Sequence, residues 1–259
     1  MVITSKDNDI IKSIRKLKDK KYRDEKNEFI IEGIKLIEEA MEEQVNIKRI
    51  VVCDECAEDL PKDLLYKIAK FDVIYVPEKI FKLITDVNNP QGILAVVEKN
   101  NIKEIDFKAD FFLILDNIQD PGNMGTILRT ADSINLKQII VANGSSDCYN
   151  PKVVRSTMGA IFRVKVFECD LLKVIKELRK HKVKILSTDL NTEKSIYDVD
   201  YNKTAVVIGN EAKGVSNEVL ELSDNTIKIP MQGKTESLNA GVATGIILYE
   251  MMRKKIYGK

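Results

Sequence analysis

The 259-residue sequence contains one histidine, His181, so no histidine-based triad or three-histidine zinc site can be assembled within it. It has only four cysteines. With no secretory signal beside them, these read as reduced thiols of a cytoplasmic protein. Two of them, in "CDEC" (53–56), have C-x-x-C spacing. One such pair supplies half the ligands of a structural zinc, and acidic neighbours disfavour a reactive thiolate, so no metal is expected. Long charge-free apolar runs are missing, which excludes a transmembrane helix. The opening "MVITSKDNDIIKSIRKLKDKK" lacks the apolar core of a signal peptide. No internal repeat or low-complexity tract occurs, and no G-x-G-x-x-G follows a predicted strand, which argues against a dinucleotide fold. In "GNEAKGVS" (209–216) the glycines are spaced as in a phosphate loop, but Val215 stands where that loop needs lysine.

An excess of either charge is absent too. Lys and Arg number 41 and Asp and Glu 40, so net charge says nothing about a polyanionic partner. Distribution says more. Between Lys12 and Arg23 lie Lys12, Arg15, Lys16, Lys18, Lys20, Lys21 and Arg23 against only Asp19. The run reads either as a solvated helix face or as an arm that contacts phosphates.

What is present is an alternation of short β-rich runs and helical patterns, the mark of an α/β fold. In the first part, strands are predicted at 28–33, 47–53, 71–76 and 92–98, with helices at 34–44, 60–70 and 78–86. The polar stretch 98–108 lacks a strong period. Chain organisation is therefore expected as a small α/β domain over 1–99, a linker over 100–108 and a second domain over 109–259. The second domain restarts with "FFLILD" (111–116), suited to a strand buried on both faces. Further strands are predicted at 137–142, 163–168, 183–189, 204–209 and 225–230, with helices at 124–134, 151–158, 171–181 and 237–254. Such a pattern implies a mostly parallel sheet, with ligands beyond the carboxyl ends of its strands.

Polar residues and glycines collect at three such places. "DPGNMG" (120–125) is strong turn chemistry, with Asn123 suited to cap the helix that follows. Two helical turns on, Arg129 interrupts an otherwise apolar pattern. Glu211, between Gly209 and Gly214, reads as a loop carboxylate or as a charge partner for that arginine. In "IPMQGKTESLNAGVATGIILYEMMR" (229–253) an apolar helix opens on Thr235, Glu236, Ser237 and Asn239, which could be capping or ligand handling. Gly241 and Gly245, four apart, each cost up to about 1 kcal/mol in a helix, which close backbone approach would offset.

These three segments, in this order and spacing, resemble the motifs of the SpoU/TrmH family of RNA ribose 2′-O-methyltransferases, in the SPOUT class. The first is "DNIQDPGNMGTILRTAD", the second "VVIGNEAKGVS", the third "IPMQGKTESLNAGVATGIILYE". The N-terminal half is similar to the family's substrate-binding domain, which resembles a small ribosomal RNA-binding protein. The resemblance implies a deep trefoil knot, a homodimer through the C-terminal domain, S-adenosyl-L-methionine as cofactor, and RNA as substrate, 23S ribosomal RNA ahead of transfer RNA. By position it implies catalytic roles for Asn123, Arg129, Glu211, Ser237 and Asn239. It implies cofactor contacts at Thr188, Gly209, Asn210, Ile229 and Leu238. Lys12, Lys16, Lys18, Lys21 and Arg23 are the candidate RNA contacts. A free guanidinium, with pKa above about 12, is a poor base, so Arg129 is read as a phosphate clamp and stabiliser of a developing alkoxide. The competing readings are an RNA-binding module without catalysis and a SPOUT enzyme that methylates transfer RNA or a base nitrogen.

Overall fold

A computed structural model describes residues 1–100 and 104–258. Positions 101–103 of the expected linker lie outside the described residues. The chain forms two compact units. The first comprises Met1–Asn100 together with Tyr149–Phe162, and the second the remaining described residues.

The first unit runs α1 (Asp9–Lys16), α2 (Lys20–Lys26), β1 (Glu28–Glu32), α3 (Ile34–Glu42), β2 (Ile47–Cys53), α4 (Lys62–Ile68), β3 (Val73–Val76), α5 (Glu78–Ile84) and β4 (Ile93–Glu98). Its sheet has the order β1-β4-β2-β3, with β2 and β3 parallel and the other pairs antiparallel. α1 and α2 replace what sequence left as a basic run. Asn8 caps α1, its Oδ1 accepting from Ile10 N at 2.9 Å. Ile11, Ile14 and Leu17 are buried with Ile30, Val51 and Val96. The β2–β4 ladder has one irregularity. Ile47 faces Val97 and Arg49 faces Val96, so Lys48 is an extra residue bulged out of register.

The second unit runs β5 (Phe111–Leu115), α6 (Pro121–Ser133) and β6 (Gln138–Ala142). The chain then supplies α7 (Pro151–Thr157) and most of α8 (Ala160–Arg163) to the first unit. β7 (Lys165–Cys169), α9 (Leu171–Lys180), β8 (Lys184–Thr188), β9 (Thr204–Ile208), α10 (Asn217–Glu221), β10 (Asn225–Ile227) and α11 (Ala240–Tyr257) follow. All six strands are parallel, in the order β10-β8-β9-β5-β6-β7. β9 is buried at every residue, as a central strand covered on both faces must be, and the apolar run over 205–208 follows from that.

The ten strand segments expected from sequence are all found, with ends shifted by one or two residues at most sites. Two departures have physical causes. α7 packs on β1, and the Tyr149 ring lies 4.8 Å from that of Phe29, which is why Tyr149–Phe162 belongs to the first unit rather than to a continuous second domain. The closing helix begins at Ala240, not Ser237, because Asn239 is its N-cap and the residues before it are not helical. Among the described residues no helix is long and apolar enough to cross a membrane.

Candidate active site

The site is built where β5 and β9, neighbours in the sheet, end. Asp116, just beyond β5 and 3% exposed, accepts from Ser216 N at 2.7 Å through one oxygen and from Asn117 Nδ2 at 2.9 Å through the other. Its carboxylate thereby ties the loop after β9 to the end of β5. Asp120 then caps α6, accepting from Asn123 N at 2.8 Å, with Pro121 in the first turn where no N–H is needed. The cap fixes Asn123 in that first turn, buried.

After β9 the chain folds back on itself. Asn210 and Gly214 exchange two backbone hydrogen bonds of 2.9 Å. A Cβ on Gly209 would fall 2.1 Å from the Gly214 carbonyl carbon and from Val215 N, so only glycine fits. The Asn210 amide is spent on architecture: Oδ1 accepts from Ala212 N and Lys213 N at 3.0 Å, and Nδ2 donates to Asn117 O at 2.8 Å. This fold carries Glu211 to the start of α6, where its carboxylate accepts from Gln119 N (3.2 Å), Asp120 N (3.1 Å) and Asn123 Nδ2 (2.9 Å).

The third segment joins through Asn239. Its Oδ1 accepts from Gly241 N (3.0 Å) and Val242 N (3.2 Å), while its Nδ2 donates to Asn123 Oδ1 at 2.8 Å. Capping and site-building, alternatives in the sequence, are thus one interaction. The donors and acceptors run one way: helix N–H groups to Asn239, Asn239 to Asn123, Asn123 to Glu211. Each amide has one orientation that satisfies both neighbours. Partial burial pushes the Glu211 carboxyl up, but the bonds from Asn123 and from backbone N–H groups outweigh it and hold the group below its ordinary value.

Arg129 is not part of this network. It is exposed on α6 and, among the described residues, has no hydrogen bond or ion pair. Its expected pairing with Glu211 is absent, because backbone N–H groups and Asn123 already occupy that carboxylate. In sequence it lies between Thr126 and Ser133, two α6 residues that meet α11. Ser133 Oγ is 3.3 Å from Tyr249 Oη of α11. Ser237 is exposed in the loop before α11, and Ile229 and Leu238 are half-buried on that same loop. Thr188 ends β8 and donates to Val207 O at 3.1 Å. Asp116, Asn117, Gln119 and Asp120 were missed in the sequence. Their one signal was a cluster of polar residues immediately after a buried strand.

One of the five candidate RNA contacts is corrected. Arg23 is 2% exposed and donates from Nη1 to Leu17 O at 2.7 Å. It satisfies a carbonyl left open at the end of α1, as a helix terminus requires. Lys18 is tied to Thr85 O at 2.8 Å and to Asp86 at 2.9 Å. Lys12, Lys16 and Lys21 remain exposed, Lys16 with its ammonium 5.6 Å from the centre of the Tyr22 ring. Of the "CDEC" pair, burial and the neighbouring Cys56 push the Cys53 thiol up to about 12, which keeps it protonated.

Comparison with known proteins places this geometry. Residues 110–249 match the SpoU rRNA Methylase family, and residues 8–95 match the MRM3-like substrate binding domain. The chain is similar to the 23S rRNA (guanosine(2553)-2′-O)-methyltransferase RlmP of Bacillus subtilis, 34% identical over 96% of this chain and 98% of that protein. It is 30% identical to the 23S rRNA (uridine(2479)-2′-O)-methyltransferase of Streptomyces viridochromogenes, over 90% of this chain and 85% of the relative. The crystal structure of the SpoU methyltransferase AviRb from the same organism, in complex with AdoMet, superposes with a TM-score of 0.87 at 28% identity, covering 97% of this chain and all of that one.

Proposed function

The chain belongs to the SpoU rRNA methylase family, and on that premise we propose that it methylates a ribose 2′-hydroxyl of 23S ribosomal RNA with S-adenosyl-L-methionine as donor. The observation that carries this reading is the hydrogen-bonded line from Glu211 through Asn123 to Asn239, which gathers three segments of the chain at the ends of β5 and β9.

The residues fit such a donor. The fold-back at Gly209 leaves no room for a side chain and presents bare backbone. Ile229 and Leu238 offer half-buried apolar surface for an adenine, and Thr188 and Asn210 flank the same strand ends. The sulfonium supplies an already electrophilic methyl, so the protein's work is positioning, which can lower a barrier by about 7–11 kcal/mol. Asn123, Asn239 and Glu211 hold the three segments together in one polarity. Ser237 orients the incoming hydroxyl from the exposed loop. Arg129, unpaired among the described residues, clamps the target phosphate and stabilises the oxygen's developing charge as its proton leaves.

Dimerisation belongs to the same proposal. Val242, Ile246, Tyr249, Arg253 and Ile256 recur along α11 at spacings of four and three, a seam pattern. Val242 (52%), Tyr249 (48%) and Ile256 (60%) are exposed despite being large and apolar. Arg129 stands beside this seam and acts from it. A knot is proposed as well. β10 lies at the sheet edge, yet α11 packs on α6, so the chain must cross the ends of β8 and β9 to return. We place the protein in the cytoplasm, with ribosomal RNA ahead of transfer RNA because residues 8–95 match a substrate-binding domain.

The test is to map 2′-O-methyl positions in total RNA with and without the protein. One ribosomal site should lose its mark. A mark lost from transfer RNA alone redirects the target, and no loss removes the activity. Arg129→Ala should lower turnover about 10²–10³-fold with donor affinity within a few-fold. Wild-type turnover would remove Arg129 from the mechanism, and a single-chain mass in solution would remove the dimer.

A further inference from the structure

The bulge in β2 has a chemical result in the first unit. In a regular strand neighbouring side chains point to opposite faces. The extra residue at Lys48 cancels that alternation, and Lys48 and Arg49, consecutive in sequence, both line one cleft of about 190 Å³. β1 adds Glu28 to the same cleft, α1 adds Ser13 and the buried Ile14, and Leu17 just past α1 adds further buried apolar surface. A volume of this order admits several waters. That is the scale of one flat heterocycle, not of a whole nucleotide.

The charges say which part of a nucleotide belongs there. Lys48 Nζ is 2.8 Å from Glu98, and Arg49 Nη2 is 2.5 Å from Asp72. With Glu28 added, three carboxylates stand against two cations, which disfavours a phosphate inside. The neighbouring surface of α1 is cationic on balance: Lys12, Arg15 and Lys16 are exposed there with Asp9, and Lys12 lies 3.9 Å from Asp7. Lys16 and Lys26 both approach the Tyr22 ring to 5.6 Å, and the Tyr22 hydroxyl is 3.0 Å from Ser13 Oγ. A cationic face next to a mixed donor and acceptor cleft with an apolar side is what an unpaired nucleotide needs. The backbone is held outside, and the base is hydrogen-bonded on its edge and packed on apolar surface.

We infer that the cleft between α1 and the β1–β4–β2 sheet captures one unstacked RNA base bearing an exocyclic amino group, with Glu28 accepting from that group and the α1 cations holding the flanking phosphates. The inference rests on the reading that the substrate is RNA, and it assigns a recognition site within that substrate's footprint.

Filling the cleft tests it. Ser13→Phe occupies the space without altering charge. In the full-length protein, retention of a single-stranded oligo(C) on filters should fall at least tenfold relative to wild type. Wild type should prefer oligo(C) to oligo(U), which lacks an amino group, and Glu28→Ala should abolish that preference. Lys48→Met, on an exposed residue, gives a second disruption should Ser13→Phe lower the melting temperature. Unchanged retention in both Ser13→Phe and Lys48→Met would overturn the site, as would equal wild-type affinity for the two homopolymers. Because binding is read without methyl transfer, failure of the cleft and failure of the proposed activity are seen separately: donor titration and 2′-O-methyl mapping decide the latter.

Discussion

Glu211 is a single carboxylate on which three donors converge, and its worth is set by what it leaves unpaired when removed. Glu211→Ala strips the buried Asn123 amide of its acceptor, a loss of about 1–3 kcal/mol. The charge itself has a pH signature. Hydrogen bonds hold the folded group below its ordinary value of 4.5 against the opposing effect of burial. A depressed acid contributes stability above the unfolded value, and that contribution disappears as pH falls through the folded value. The melting temperature of wild type should therefore decline from pH 4.5 downward more steeply than that of Glu211→Gln, whose amide does not titrate. Parallel melting profiles for the two would mean that the carboxylate is not what holds the loop.

α11 carries two glycines that look equivalent in sequence and are not. A Cβ on Gly241 would sit 3.1 Å from Thr126 Cγ2 and 3.2 Å from Asn239 Oδ1, against α6 and against the cap itself. A Cβ on Gly245 would meet Thr130 Cγ2 at 3.9 Å, an ordinary contact. Gly245→Ala should stabilise the fold by up to about 1 kcal/mol through helix propensity, read as a higher melting temperature. Gly241→Ala should gain none and should reduce turnover by displacing Asn239. Equal effects on stability and turnover would erase the distinction. The same element marks what sequence can tell. Apolar periodicity located α11 and the buried strands, and motif order located Asn123, Glu211 and Asn239. Their bonding could not be read, since partners 88 and 116 residues apart leave no local pattern. α10, at five residues, is too short to show a period. Arg23 could not be told from its cationic neighbours, because the carbonyl it serves becomes open only once α1 has ended at Lys16.

For the molecule as a whole, a net charge of +1 means that RNA affinity comes from where the cations stand. Reversing Lys12, Lys16 and Lys21 together should weaken binding and flatten the plot of log affinity against log salt by about 0.7–0.9 per lost phosphate contact. Arg23→Gln should instead lower the melting temperature and leave that slope alone. An unchanged slope in the triple variant would move the phosphate contacts elsewhere. The path of the chain has a consequence for synthesis. The Tyr149 ring sits against Phe29 at 4.8 Å and beneath the Lys99 ammonium at 4.8 Å, and Val153, Val154 and Thr157 are buried on the first unit. A nascent chain that has emerged only to Asn100 thus holds all four strands of its first sheet and still lacks α7, which packs on β1. The first unit is completed only by Tyr149–Phe162, translated about fifty to sixty codons later, and an expression fragment cut at Asn100 would lack that segment.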